Sequence, residues 1–267
     1  RDRRNCPMIL PDFGFGNIEA HLWELLFVMI RIGAAMLAAP IFGAAGVPVQ
    51  VRIILSGAIA VFVLAWTPVV VPETLLSVQG MLIVVTEVMI GVAMGFVLQV
   101  TFAAPMIAAE IISGTMGMAI ATAIDPNSGA QSGAMGQFFG IVLTLIFLGV
   151  GGHLLWLQLI IESYQSLPPD GGPFDPQTAW HIVSFAARIL ATAVAIAIPV
   201  TLVLLLIQMF NGVLSRSAPA LNLFALGLPA GILAGFAALI VSFPLLTHHL
   251  VELSSTAIDM AAQVAAR

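Results

Sequence analysis

Lysine is absent from this chain of 267 residues, and charged side chains of all kinds make up only 8% of it. A soluble domain keeps about a quarter of its residues charged, because its surface faces water. A chain this depleted cannot clothe a water-facing surface, so lipid or partner protein must cover it. The basic residues are all arginines (Arg1, Arg3, Arg4, Arg31, Arg52, Arg188, Arg216 and Arg267). They are scattered, which leaves no basic stripe for nucleic acid. The net charge of −5 says little about partners when charges are so few. A lone cysteine, Cys6, excludes an intrachain disulfide and a cysteine-clustered metal site. No P-loop, dinucleotide fingerprint or nucleophile–base motif is present, so nothing points to an enzyme or calls for a cofactor. What is there is apolar: 60% of the residues are hydrophobic and the mean hydropathy is +1.11.

A membrane span needs about twenty mostly apolar residues to cross roughly 30 Å of hydrocarbon. Six hydrophobic segments qualify, and the fold class they predict is an all-α membrane protein with kinked or broken helices. Ile18 to Ala39 stops at Pro40, and a connector rich in turn residues runs from there to Pro48. Val51 to Val71 is the second span. Leu75 to about Ile112 is overlong, with a kink or break expected near Phe102–Pro105. Phe138 to about Tyr164 is the fourth, and Leu167 to Pro176 is the clearest loop. Ile182 to Leu214 contains Pro199, and Leu223 to Leu250 is interrupted by Pro229 and Pro244. Arg1 to Pro7 differ from all that follows and are expected to lie upstream of a natural start or to be flexible. The first apolar run is too long for a signal peptide and shows no small-residue cleavage site, so the spans are expected to direct insertion themselves. The arginine balance does not fix an orientation.

Charges inside spans are costly and point to function by default. Arg31, Glu87, Glu110 and Arg188 are of this kind. Two readings stay open for them: proton or cation sites of a transporter, or structural pairs and span-end residues. His248 and His249 are adjacent, so they face different sides of a helix and make a poor metal pair. Small residues recur at four-residue spacing, at Gly91 and Gly95 and again at Gly227, Gly231 and Gly235 around Pro229. Such ridges let helices approach closely, within the chain or against other subunits.

Gly114 to Gly136 is neither charged like a solvent loop nor continuously apolar like a span. Glycines loosen it, Asp125-Pro126-Asn127 signals a turn, and Met116, Met118, Ile120 and Ile124 lie between. Non-helical backbone at membrane depth survives only when buried in protein or lining an aqueous cavity. The alternative is an ordinary apolar surface loop.

Several blocks, in order, resemble the FliR family of the type III export gate. These are RIGAAMLAAPIFG and VPVQVR near the front, EVMIGVAMGFVLQ at Glu87–Gln99 and FAA at Phe102–Ala104. They continue with the Gly114–Met118 stretch, ATAIDP at Ala121–Pro126, GGH at Gly151–His153, Ser163 to Pro168, and LSRSAPALNLFALGLP at Leu214–Pro229. The last carries Arg216, Pro219 and Asn222. The resemblance spans nearly the whole chain. It implies a single domain over residues 1–267, with a FliP-like N-terminal part and a FliQ-like C-terminal part. It further implies helical hairpins in a pseudo-symmetric cone built with FliP-like and FliQ-like subunits. The cone would sit in the bacterial inner membrane, raised towards the periplasm within the basal-body ring, beside FlhB-like and FlhA-like export components. Unfolded flagellar proteins would pass through it. The stretch holding Met116, Met118, Ile120, Ile124, Asp125 and Pro126 would plug the closed pore. Family members often carry phenylalanine where this chain has Ile120 or Ile124, so the seal here would be aliphatic. Virulence type III secretion has corresponding subunits, and a small-solute transporter is the reading from another class.

Overall fold

The computed structural model describes residues 15–67, 69, 77–118, 133–169, 175–217 and 223–266. Among these, every regular element is a helix: α1 (Phe15–Ala38), α2 (Val49–Trp66), α3 (Val78–Thr115), α4 (Ala134–Gly149), α5 (Gly152–Ser166), α6 (Pro176–Ser217) and α7 (Leu223–Ala265). Five are long and apolar enough to cross a membrane, and the bent pair α4–α5 brings the number to six. The segments read from hydropathy are thus the right ones, but their interiors differ from expectation.

Pro105, Pro199, Pro229 and Pro244 all lie inside continuous helices. Of the kink or break expected near Phe102–Pro105 the break is absent, and α7 is likewise continuous through Pro229 and Pro244. A proline removes one backbone hydrogen bond and crowds the carbonyl four residues back. In membrane helices, neighbouring helices and local adjustment take up that cost. The break occurs instead in the fourth segment, where α4 and α5 meet at 66°. Gly149-Val150-Gly151-Gly152 supplies it. Gly151 sits at φ +77, a left-handed conformation that residues with a Cβ adopt only at a cost.

α3 is the central post, packing against α1, α4, α6 and α7. Its N-terminus is capped by Ser77, whose hydroxyl accepts the Gly80 N–H at 3.0 Å. α2 lies at the periphery and buries only Ser56, Ala60 and Val63, a narrow stripe one to two turns long. Its remaining face is open and apolar, with Ile54 71% and Trp66 76% exposed. Large exposed apolar faces of this kind require lipid or protein cover.

The α3 end is built by hydrogen bonds. Gly117, at φ +83, lets the chain turn back so that its N–H reaches the Gly114 carbonyl and the Met118 N–H reaches that of Ser113. This is a Schellman closure, which satisfies carbonyls the helix would leave orphaned. Gly117 therefore terminates a helix in a defined way.

Candidate functional site

The four charges read as intramembrane separate into one pair and two lone residues. Arg31 on α1 and Glu87 on α3 are buried, 0% and 1% exposed. The Arg31 Nε donates to one Glu87 oxygen at 2.8 Å and Nη2 to the other at 2.7 Å. This is the bidentate fork that a guanidinium makes with a carboxylate. Nη1 donates to the Ser163 carbonyl at 2.8 Å and to its hydroxyl at 3.0 Å. Nη2 also reaches the Leu167 carbonyl at 2.8 Å. All five guanidinium donors are used. The Arg31 Cζ lies 4.2 Å from the centre of the Tyr164 ring, and the Tyr164 hydroxyl donates to the Val28 carbonyl at 2.6 Å.

Ser163 and Leu167 are at the C-terminal end of α5, followed by Pro168 and Pro169. The last carbonyls of a helix lack intrahelical partners and carry its negative end. Arg31 gives the Leu167 carbonyl a donor and adds a second to the Ser163 carbonyl, which the Leu167 N–H already reaches at 2.9 Å, so one cation joins α1, α3 and α5. The sequence reading found both charges but not their pairing. It also missed Ser163 and Tyr164, although the chain's only tyrosine lay within the Ser163–Pro168 block. Trp156 was missed too. It is fully buried on α5, donates to the Met94 carbonyl at 3.2 Å, and stacks on Phe42 with centroids 5.7 Å apart.

Glu110 is exposed at the far end of α3, and its carboxylate accepts the Gly133 N–H at 3.2 Å. Gly133 is the residue before α4, so Glu110 places negative charge at the positive end of that helix. Glu87 and Glu110 lie 23 residues apart on one helix, roughly 35 Å at 1.5 Å rise. They cannot share an ion. Arg188 and Arg216 are exposed along α6.

The small-residue ridges receive the chain's own neighbours. A Cβ on Gly95 would lie 2.5 Å from the Ala35 carbonyl oxygen, and one on Gly91 2.9 Å from the Ala34 Cβ. α1 therefore crosses α3 at these two glycines. On α7, Gly227 is half-buried and Pro229 exposed, while Gly231 and Gly235 are buried. A Cβ on Gly231 would lie 3.4 Å from the Met116 carbonyl oxygen, and one on Gly235 2.6 Å from the Met116 side chain. Met116 is thus seated in a notch of α7 and is 2% exposed. Gln208 on α6 donates to the adjoining Thr115 carbonyl at 2.6 Å. Met118 lines an apolar cleft of about 540 Å³ between α4 and α7, with Phe138, Phe139, Phe236 and Phe243 among its walls. Ile120, Ile124, Asp125 and Pro126 lie outside the described residues, as do Pro219 and Asn222.

The notch makes a prediction. Gly235→Leu is expected to expel Met116 and lower the thermal midpoint in detergent, at an overpacking cost of about 1–3 kcal/mol. Adding Met116→Ala should recover part of that loss. No recovery in the double variant would show that Gly235 matters for another reason.

A family model described as "Bacterial export proteins, family 1" matches residues 22–257. The flagellar biosynthetic protein FliR of Bacillus subtilis (strain 168) is 33% identical over 81% of this chain and 84% of its own length. FliR of Escherichia coli (strain K12) is 28% identical over 92% and 93%. The surface presentation of antigens protein SpaR of Salmonella typhimurium is 31% identical over 67% and 68%. With a family model covering the described helices from within α1 to within α7, the chain belongs to the bacterial export proteins, family 1.

Proposed function

We propose that this chain is a structural and gating subunit of a flagellar type III protein export gate. With FliP-like and FliQ-like subunits it forms the channel that passes unfolded flagellar proteins across the inner membrane. The observation that carries this is the match to FliR relatives over about nine-tenths of both chains. A FliP-like front part and a FliQ-like rear part, with FlhB-like and FlhA-like components and the basal-body ring outside, complete the proposed setting. The SpaR relative keeps the corresponding virulence subunit as a second reading.

Helix length supports partner cover. α3, α6 and α7 have 38, 42 and 43 residues, or roughly 57, 63 and 64 Å at 1.5 Å per residue. Fitting them into about 30 Å of hydrocarbon would need a tilt near 60°, beyond the usual range of 0–40°. Yet α6 qualifies as a candidate span over Pro176–Leu214, and near its end Leu205, Leu206, Met209, Phe210, Val213 and Leu214 are exposed along one broad face. The bilayer leaves such length bare, and a gate raised towards the periplasm would enclose it.

The seal belongs to the same proposal. Met118 leads into the stretch carrying Ile120 and Ile124, with Asp125-Pro126 as its turn, and apolar groups in a constriction stop ions by dewetting it. Deleting residues 119–124 spares the Met116 anchor, so the gate is expected to assemble but to conduct small ions. Membrane conductance at equal gate abundance measures this, and an ion-tight deletion would leave closure to the partners. For the function itself, the chain carrying an affinity tag should co-extract FliP-like and FliQ-like subunits in a fixed ratio. Loss of its gene should stop flagellin export and motility. A chain that purifies alone and moves a small solute would overturn the reading.

A further inference from the structure

α7 carries His248, His249 and Glu252, and one ligand atom from each lies within 4.8 Å of the other two. His249 Nδ1 stands 3.8 Å from a Glu252 oxygen. Adjacent residues on a helix diverge by about 100°, which is why the two histidines alone make a poor metal pair. Glu252 changes this. It is four residues after His248 and three after His249, the two spacings at which helical side chains meet. Its carboxylate therefore stands in the next turn within reach of both rings. The rings are nearly perpendicular, at 85°, with centroids 6.1 Å apart, so they do not stack shut on each other.

We propose that His248, His249 and Glu252 bind one divalent transition-metal ion of the zinc type, through two imidazole nitrogens and one carboxylate oxygen. Donors in a four-coordinate zinc site, with bonds of about 2.0–2.1 Å, are roughly 3.4 Å apart. Closing a 4.8 Å triangle to that size takes side-chain adjustment and no movement of the helix. The side chains are free to make it, Glu252 being 64% and His249 30% exposed. The fourth position is open to water, as in zinc sites with three protein ligands. Imidazole nitrogens suit zinc, copper and nickel, whereas magnesium and calcium prefer all-oxygen sets. His248 and Glu252 are exposed and His249 is half-buried in the single chain. Thr247, Ser254, Ser255, Thr256 and Asp259 lie near it on the same helix, interspersed with Leu250, Val251 and Leu253. This assignment rests on α7 alone and stands apart from the gate reading.

The test uses the full chain, free of any histidine tag, in detergent and stripped of metal with EDTA. Calorimetric titration with zinc chloride is expected to show about one ion per chain at micromolar affinity or tighter. His248→Ala and Glu252→Gln should each weaken binding roughly 10- to 100-fold, the scale seen even for changes beyond the ligand shell. Both substitutions fall on exposed positions, and unchanged size-exclusion profiles would show that the variants are folded. His181→Ala should bind zinc like the parent, and millimolar magnesium should not displace it. Absence of zinc binding to the parent chain, binding by either ligand variant as tight as the parent's, or displacement by magnesium would each overturn the assignment.

Discussion

Glu87→Ala is expected to remove most folded chain from the membrane fraction, with a loss of about 3–5 kcal/mol, the usual cost of breaking a buried ion pair. Removing the carboxylate strands Arg31 at 0% exposure, with Nε and one Nη2 hydrogen facing no acceptor. The cation cannot neutralise itself, since a guanidinium stays charged. Glu87→Gln keeps one acceptor but turns amide hydrogens towards the fork, so it should fall between the parent and Glu87→Ala. Replacing both partners, as in Arg31→Met with Glu87→Leu, should recover part of the loss, because no charge is then left buried. Recovery stays incomplete, since the Leu167 carbonyl and the Ser163 hydroxyl lose the Arg31 donors and the Ser163 carbonyl is left with the Leu167 N–H. Abundance in membranes and unfolding in detergent rank the four chains. Among chains that do assemble, ion dependence of export should be unaltered by Glu87→Gln or Glu110→Gln. A dependence on proton motive force lost with either carboxylate would restore the transporter reading.

That pair shows what the sequence could and could not convey. Hydropathy located every span, because covering a span's length with apolar residues leaves a local mark. The partner of Glu87 lies 56 residues away, and one sequence contains no signal linking the two. The prolines did not mark breaks: Pro105 is buried and Pro229 and Pro244 are exposed, yet each lies inside a continuous helix. The actual break, at Gly149-Val150-Gly151-Gly152, was written in three glycines within four positions, yet the long apolar run around them looked continuous. Glu110 reads as a charge inside a span or near its end, and the sequence could not tell which; it lies near the end of α3 on an exposed face. Gly91 and Gly95 could be recognised as a ridge, though the sequence could not tell which helix they receive.

The same two glycines carry the other large effect. Gly→Ala in a helix interior normally gains about 1 kcal/mol through propensity, and here the opposite sign is expected. A Cβ on Gly95 would meet the Ala35 carbonyl oxygen at 2.5 Å, the Ala38 Cβ at 2.6 Å and the Ala38 carbonyl carbon at 3.0 Å. A Cβ on Gly91 would meet the Arg31 carbonyl oxygen, the Ala34 Cβ at 2.9 Å and the Ala35 N at 3.0 Å. Most of these are backbone atoms, which cannot swing aside as a side chain tip can, so α1 itself must move away from α3. Gly91 is one turn from Glu87, and the carbonyl it would strike belongs to Arg31. Any separation at Gly91 therefore also stretches ion-pair bonds of 2.7 and 2.8 Å. Gly91→Leu should lower abundance at least as far as Glu87→Ala does, with Gly91→Ala and Gly95→Ala following in the same direction. Because steric contact and charge pair sit on adjacent turns, Gly91→Ala combined with Glu87→Ala should cost less than the sum of the two. Gly140→Ala provides the control, since a Cβ there meets nothing within 4 Å and the change should be neutral or stabilising. Detergent unfolding midpoints of the series decide the matter. A Gly91→Ala chain as stable as Gly140→Ala, or strict additivity with Glu87→Ala, would show that the α1–α3 crossing and the ion pair are independent.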